Sequence, residues 1–197
     1  MKVAFCIPGK SFSKDFLSDW TKLISNIEKY DVEWKLFTGY NPTVYHVRAG
    51  LLDRALEWQP DYTMWIDSDM VCFYVEHLWK LISHNKDIVS GLYLMKSNVN
   101  TMKQTGIFEF VCVKKDGTRL TTKDINSNGL MEVRGNGMGW MLIKTNVFKH
   151  ISQPFMPIDF DTSEDISFQI KAKEKGFISY VDTSICIGHE KDTIIII

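Results

Sequence analysis

The sequence predicts an α/β fold: a mostly parallel sheet with helices on its faces, continued by a smaller mixed sheet. Three observations predict it. Short apolar runs of strand length alternate with helix-length amphipathic stretches through the first half. Several of those runs are continuous rather than alternating, as expected of strands buried on both faces. The second half changes to hairpin signals and clustered glycines.

The elements follow in order. Lys2 to Ile7 is an apolar strand ended by Pro8-Gly9. Ser13 to Tyr30 reads as a helix, with Phe16, Trp20, Leu23, Ile24 and Ile27 at helical spacing. Val32 to Phe37 reads as a second strand. Asn41-Pro42 has the form of a helix cap followed by proline at the first helical position. The helix it opens spans about residues 43–58, with Val44, Val47, Leu51, Ala55 and Trp58 inward. Tyr62 to Ile66 is a third strand, Tyr74 to His84 a helix, and Asp87 to Gly91 a further strand. Ile107 to Val113 and the run from Arg119 flank a hairpin turn at Asp116-Gly117, and Asn126 to Gly129 is a second turn. Trp140 to Ile143 is a strand. Glu164 to Lys175 is a helix capped by Thr162 or Ser163 and closed by Gly176. Ile178 to Val181 and Ser184 to Ile187 read as two short final strands. With no linker or repeat, the expectation is one domain over 1–197, with halves 1–95 and 96–197.

The chain has 197 residues, 45% of them hydrophobic and 24% charged, which is enough for a real core. Its net charge of −1 argues against broad electrostatic binding to nucleic acid or anionic membranes, while leaving a nucleic-acid acceptor open. Cys6, Cys72, Cys112 and Cys186 are far apart and form no paired motif, so free thiols in a reducing compartment are expected. The first apolar run is too short for a signal or membrane segment, so a soluble, cytoplasmic protein is expected. The Ile194 to Ile197 run reads as an edge strand, an oligomer contact or a cut point in a longer chain.

Asp67-Ser68-Asp69 is the most informative motif. Two carboxylates end an apolar strand, where charge is costly unless a cation meets it. A divalent metal preferring oxygen ligands is one such cation; a turn or helix cap is the plainer reading. The triplet lies where open α/β sheets bind ligands, at the carboxyl end of a strand. Pro8 ends a neighbouring strand there, and the Asn41 helix opens onto the same crevice with N–H groups suited to phosphate. Arg48, further along that helix, is either in reach of the crevice or an ordinary solvated residue. Three other features accompany the triplet. The glycine loop 135–139 permits close approach to a ligand, or simply makes a tight turn. Glu164-Asp165 opens a helix, where acids are favoured in any case. His189 follows the last strand and has many possible uses.

Their order and company carry a resemblance. Met64 to Asp69 followed by Asp87 to Tyr93, then Gly137-Met138-Gly139-Trp140-Met141-Leu142-Ile143, Ser163-Glu164-Asp165 with Phe168, Gly176 and His189, resemble GT-A-fold glycosyltransferases. The likeness is to small inverting enzymes of the family 2 type, including phage and viral forms. It implies a Rossmann-like sheet with flanking helices and an acceptor-side sheet. It also implies transfer of a sugar from a nucleoside diphosphate sugar, a UDP-sugar first among them, to a hydroxyl on a glycan, protein or other acceptor. By the same resemblance Asp69, His189 and Asp67 hold Mn2+, or Mg2+, and Asp165 is the general base. Pro8, Asn41, Arg48, Asp67, Ser68 and Asp69 hold the nucleotide sugar, and Gly137, Met138, Gly139, Trp140 and Glu164 line the sugar and acceptor side. Gly9-Lys10-Ser11 departs from the family's usual sequence after the first strand, and its spacing does not make a phosphate-binding P-loop. The alternatives are a nucleotidyltransferase acting on sugar phosphates and an inactive module that binds a glycan or a partner.

Overall fold

A computed structural model describes residues 1–95, 106–125 and 129–190. The Ile194 to Ile197 run and most of the turn at Asn126 to Gly129 lie outside the described residues. Among the described residues the largest sheet has seven strands. They are β1 (Lys2–Pro8), β2 (Glu33–Gly39), β3 (Tyr62–Ile66), β5 (Ile88–Leu92), β8 (Leu130–Val133), β10 (Trp140–Lys144) and β11 (Ser179–Cys186), in the order β2-β1-β3-β10-β5-β11-β8. β1 runs parallel to β2 and β3, and β5 parallel to β11; β10 and β8 run against their neighbours. A three-stranded sheet joins β6 (Glu109–Val113), β7 (Arg119–Thr121) and β9 (Gly135–Asn136), and a two-stranded one joins β4 (Met70–Val71) to β12 (Gly188–His189).

Helix α1 (Lys14–Ile27) starts where Ser13 Oγ accepts the Phe16 N–H, a cap that stabilises a helix by about 1 kcal/mol. It buries Phe16, Leu23 and Ile27 against one face of the sheet, as its spacing predicts, and α3 (Val75–Ser83) buries Val75, Leu78 and Leu81 in the same cluster. The opposite face is covered by α2 (Val44–Glu57) through Leu51, Leu52 and Ala55, and by α4 (Glu164–Glu174) through Phe168 and Ala172. Gly176, at φ +87°, closes α4 in the left-handed conformation that glycine adopts without steric cost.

Three expectations about local structure are corrected. Asn41 does not cap α2: its Oδ1 accepts the Thr43 N–H in a turn before the helix, Thr43 takes the cap position without a side-chain bond, and Pro42 stays outside. Val44, expected inward, is exposed because it faces an open pocket rather than the sheet. The two short final strands are one strand, β11, carried through Asp182-Thr183 by side-chain bonds to a buried carboxylate. The run 140–143 makes the expected strand, and it enters between β3 and β5.

That insertion positions the site. β10 is antiparallel, so its beginning lies beside the carboxyl end of β3, with Trp140 paired to Ile66. The segment 137–139 therefore sits at the same sheet edge as Pro8, Gly39, Asp67 and Tyr93. Cys186 pairs with Leu92, which brings β12 to that edge as well.

Candidate active site

The Asp67–Asp69 segment is a tight turn. The Met70 N–H bonds to Asp67 O at 3.0 Å, and the Asp67 N–H bonds to Gly139 O at 3.2 Å. Ser68 sits against Gly9, where a Cβ would come 2.5 Å from that of Ser68. Glycine at position 9 thus lets the end of β1 close against the turn, and the Gly9 N–H bonds to Gly39 O.

β4 and β12 bring in His189. Met70 pairs with His189, and the Glu190 N–H bonds to Asp69 O at 2.7 Å. His189 Nδ1 lies 2.8 Å from Leu94 O, which can only accept, so Nδ1 donates and Nε2 is the ring nitrogen left to face the site. That Nε2 lies 3.3 Å from Asp69 Oδ2. A carboxylate oxygen and an imidazole nitrogen at this separation suit a shared cation. Ligands on adjacent octahedral positions, each about 2.1 Å from a metal, stand about 3 Å apart. Asp69 and His189 therefore fit a divalent metal as two of its ligands. Among the described residues no cluster of three or more such side chains is found. The remaining positions would fall to substrate oxygens or water, the usual arrangement for hard cations at phosphates.

Arg48 is buried, and its guanidinium joins the two halves of the chain. Nη2 donates to Asp67 Oδ1 at 2.8 Å and Nε to Glu164 Oε1 at 3.0 Å. The guanidinium also lies over the Trp65 ring. Burial opposes its charge, but Asp67 and Glu164 outweigh burial and hold its pKa above the ordinary arginine value. Nη1, also buried, has no hydrogen-bond partner among the described residues. The solvated-helix reading of Arg48 is thereby excluded. A buried donor left unmatched costs about 1–3 kcal/mol, and the residue that carries this one lines a pocket.

Asp165 stands half-buried in the first turn of α4. Its Oδ1 accepts from Ser163 Oγ and, at 2.8 Å, from the Ile166 N–H. Burial raises its pKa, the neighbouring Glu164 charge raises it further, and Ser163 and Arg48 oppose the rise only in part. A raised pKa makes a carboxylate readier to take a proton, which is what a base needs.

One pocket of about 370 Å³ is lined by Pro8, Asn41, Arg48, Asp67, Ser68, Asp69, Glu164 and Asp165. Lys10 and Tyr40 line it too, with Lys10 Nζ 5.8 Å from the Tyr40 ring centre. Sequence reasoning had no use for these two. Lys10 stood in an atypical motif, and Tyr40 precedes the Asn41 turn with no pattern to mark it. Tyr93 was quoted but given no role. Its hydroxyl accepts the Gly139 N–H at 3.0 Å and its ring meets His189 edge to face, so it braces the segment under Asp67 and the His189 ring. Beside the pocket, Tyr45, Met156, Ile158 and Phe160 line an apolar groove.

The glycine segment serves the protein rather than a ligand. A Cβ at Gly137 would lie 1.9 Å from the Tyr93 hydroxyl, and one at Gly139 would lie 2.9 Å from Met70 Sδ. The Gly137 N–H is taken by Val111 O. Met138 and Trp140 are fully buried, Trp140 stacked on Phe73. Trp140 cannot line a sugar pocket from there. Gly137, Met138, Gly139 and Trp140 form the floor that supports Asp67 and Tyr93.

No family model and no curated protein sequence matches this chain. Solved structures do. The protein A197 from STIV aligns with a TM-score of 0.66 at 22% identity, over 98% of this chain and 87% of its own. GalNAc-T7, solved with UDP, GalNAc and Mn2+, aligns with a TM-score of 0.52 at 10% identity, over 95% of this chain. This chain spans 43% of GalNAc-T7. No helix among the described residues is long and apolar enough to cross a membrane. At these identities the likeness establishes architecture: the chain has a GT-A-like fold.

Proposed function

We propose that the protein is a nucleotide-sugar-dependent glycosyltransferase. The observation that carries the reading is convergence. The Asp69–His189 pair, the unmatched Nη1 of Arg48 and the raised-pKa carboxyl of Asp165 all belong to one edge of the sheet, and Arg48, Asp69 and Asp165 line one pocket. The fold shared with GalNAc-T7, whose structure holds UDP, GalNAc and Mn2+, supports it. A UDP-sugar is the first donor to test.

The nucleotide lies along Pro8, Tyr40 and Asn41. Arg48 Nη1 donates to the donor, and Asp67, fixed by Arg48, faces the ribose side. Asp69 and His189 would hold Mn2+, or Mg2+, which neutralises the diphosphate leaving group. Imidazole among the ligands favours Mn2+. Glu164 keeps one oxygen on Arg48 and offers the other to a sugar hydroxyl. Asp165 takes the proton from the acceptor hydroxyl. The acceptor oxygen bonds to the anomeric carbon as that carbon's bond to the phosphate oxygen breaks, and the nucleoside diphosphate leaves. One displacement inverts the anomeric centre. The acceptor, a glycan, protein or other hydroxyl compound, approaches past Thr162 and Phe160. The four free cysteines fit a cytoplasmic setting, that of the host cell for a viral protein.

The test is a panel of nucleotide sugars with Mn2+, scored for nucleoside diphosphate release. Release is expected with at least one donor, falling about 10²–10⁴-fold in Asp165→Asn, the usual contribution of a general base. Pyrophosphate release from a nucleoside triphosphate instead would move the reading to nucleotidyl transfer.

A further inference from the structure

We infer that Asp19, on α1 and outside the pocket, is a positioning residue for the Asp69–His189 pair. The inference rests on the metal reading of that pair and goes beyond it. Asp19 falls on the apolar face of α1, among Phe16, Leu23 and Ile27, where an apolar residue would pack at less cost. It is only 8% exposed. Its two oxygens have separate duties. Oδ1 accepts from Lys22 Nζ at 3.2 Å, and Oδ2 accepts the backbone N–H of Cys72 at 2.6 Å.

Cys72 is an unusual residue to hold. It has φ +58°, the left-handed conformation that costs a non-glycine residue about 1–2 kcal/mol. It follows directly on β4, and its turn sets the line along which β4 leaves the sheet edge. β4 in turn seats β12: Val71 pairs with Gly188 and Met70 with His189. That seat has no slack. A Cβ at Gly188 would lie 2.8 Å from Val71 Cγ2 and 3.1 Å from Val71 O. A β4 strand that shifts carries Asp69 and β12 with it, drawing His189 Nδ1 away from Leu94 O, the acceptor that holds the ring with Nε2 toward Asp69. Asp19 thus acts on the cation pair through one backbone N–H, one strained turn and one two-residue ladder.

The test measures Mn2+ affinity directly, by water-proton relaxation without substrate, on the full chain. Asp19→Ala is expected to weaken Mn2+ binding about tenfold, as removing an outer partner of a metal ligand does. Asp19→Asn keeps an acceptor oxygen and is expected to stay within about threefold of the unaltered protein on the same scale. Asp19→Ala/Cys72→Gly separates positioning from general stability. Glycine adopts the left-handed conformation freely, so the double variant is expected to regain most of the lost affinity even if Asp19→Ala alone does not fold. Asp19→Ala with lowered thermal stability but unchanged Mn2+ affinity overturns the proposal. So does a folded double variant that still binds weakly. Absence of Mn2+ binding by the unaltered protein overturns the metal reading and this inference together, whereas equal affinity in every variant overturns only the role of Asp19.

Discussion

Asp182, inside β11, and Asp67, just past β3, are both carboxylates held beside cations, and the groups around them behave differently. Asp182 is almost fully buried and matched by its own chain: His84 Nε2 at 2.7 Å, the Ser184 N–H at 2.9 Å, Ser184 Oγ at 2.5 Å and Lys80 Nζ at 3.5 Å. Asp67 is matched by Arg48, but Arg48 is left with a buried Nη1 that nothing among the described residues satisfies. Beside Asp67, His189 Nε2 lies 3.3 Å from the Asp69 carboxylate. Burial alone does not separate a working site from a structural one. The two clusters also differ in their donors and acceptors: Asp182 is matched by its own chain, whereas the Arg48 that holds Asp67 keeps a buried Nη1 with no partner among the described residues.

Three experiments break or sharpen this contrast, the largest effect first. Arg48→Met strands the Asp67 and Glu164 charges, and stability is expected to fall by about 3–5 kcal/mol in urea denaturation. A loss below 1 kcal/mol would show that the two carboxylates do not depend on Arg48. Asp182→Ala leaves the Ser184 N–H and His84 without their partner, and about 1–3 kcal/mol is expected to be lost. Mn2+ and donor affinities are expected to stay put; if they fall in step, the two clusters are not separate. The smallest effect is read from pH. Burial and Glu164 raise Asp165, so the acid limb of turnover is expected above the ordinary aspartate value of about 3.9. Asp182 titrates the other way. Burial pushes its pKa up, but Ser184 and His84 outweigh burial and depress it. Its contribution to stability is therefore complete above the unfolded carboxylate value and lost as pH falls below it. An acid limb at or below 3.9 would remove the argument that Asp165 is tuned as a base.

The first half was legible because its signals are local. The Ser13 start of α1 and the Tyr62–Ile66 strand are each written in a few adjacent residues, as is the Gly176 stop in the second half. The place of β10 was not, because pairing Trp140 with Ile66 depends on residues more than seventy positions apart that carry no local mark. The glycine segment was misread for a chemical reason. A glycine needed for a ligand and one needed for a tyrosine hydroxyl look the same in sequence, and only the 1.9 Å clash with Tyr93 tells them apart. Asn41 was misread similarly, since one side-chain oxygen serves a helix cap or a preceding turn. Arg48 had two open readings, and burial between carboxylates from both halves decided against the surface one.

The central position of β10 has a consequence for synthesis. As the chain emerges from its N-terminus, β1, β2 and β3 can pair early, but β3 and β5 each wait for the same strand. Until Lys144 has been made, both present bare apolar edges, which are open to pairing with other chains. A fragment ending at residue 95 keeps those edges for good. The segment with the appearance of a free-standing nucleotide-binding unit is thus the one least able to survive alone, and the nascent chain is most exposed to aggregation just before its middle strand arrives.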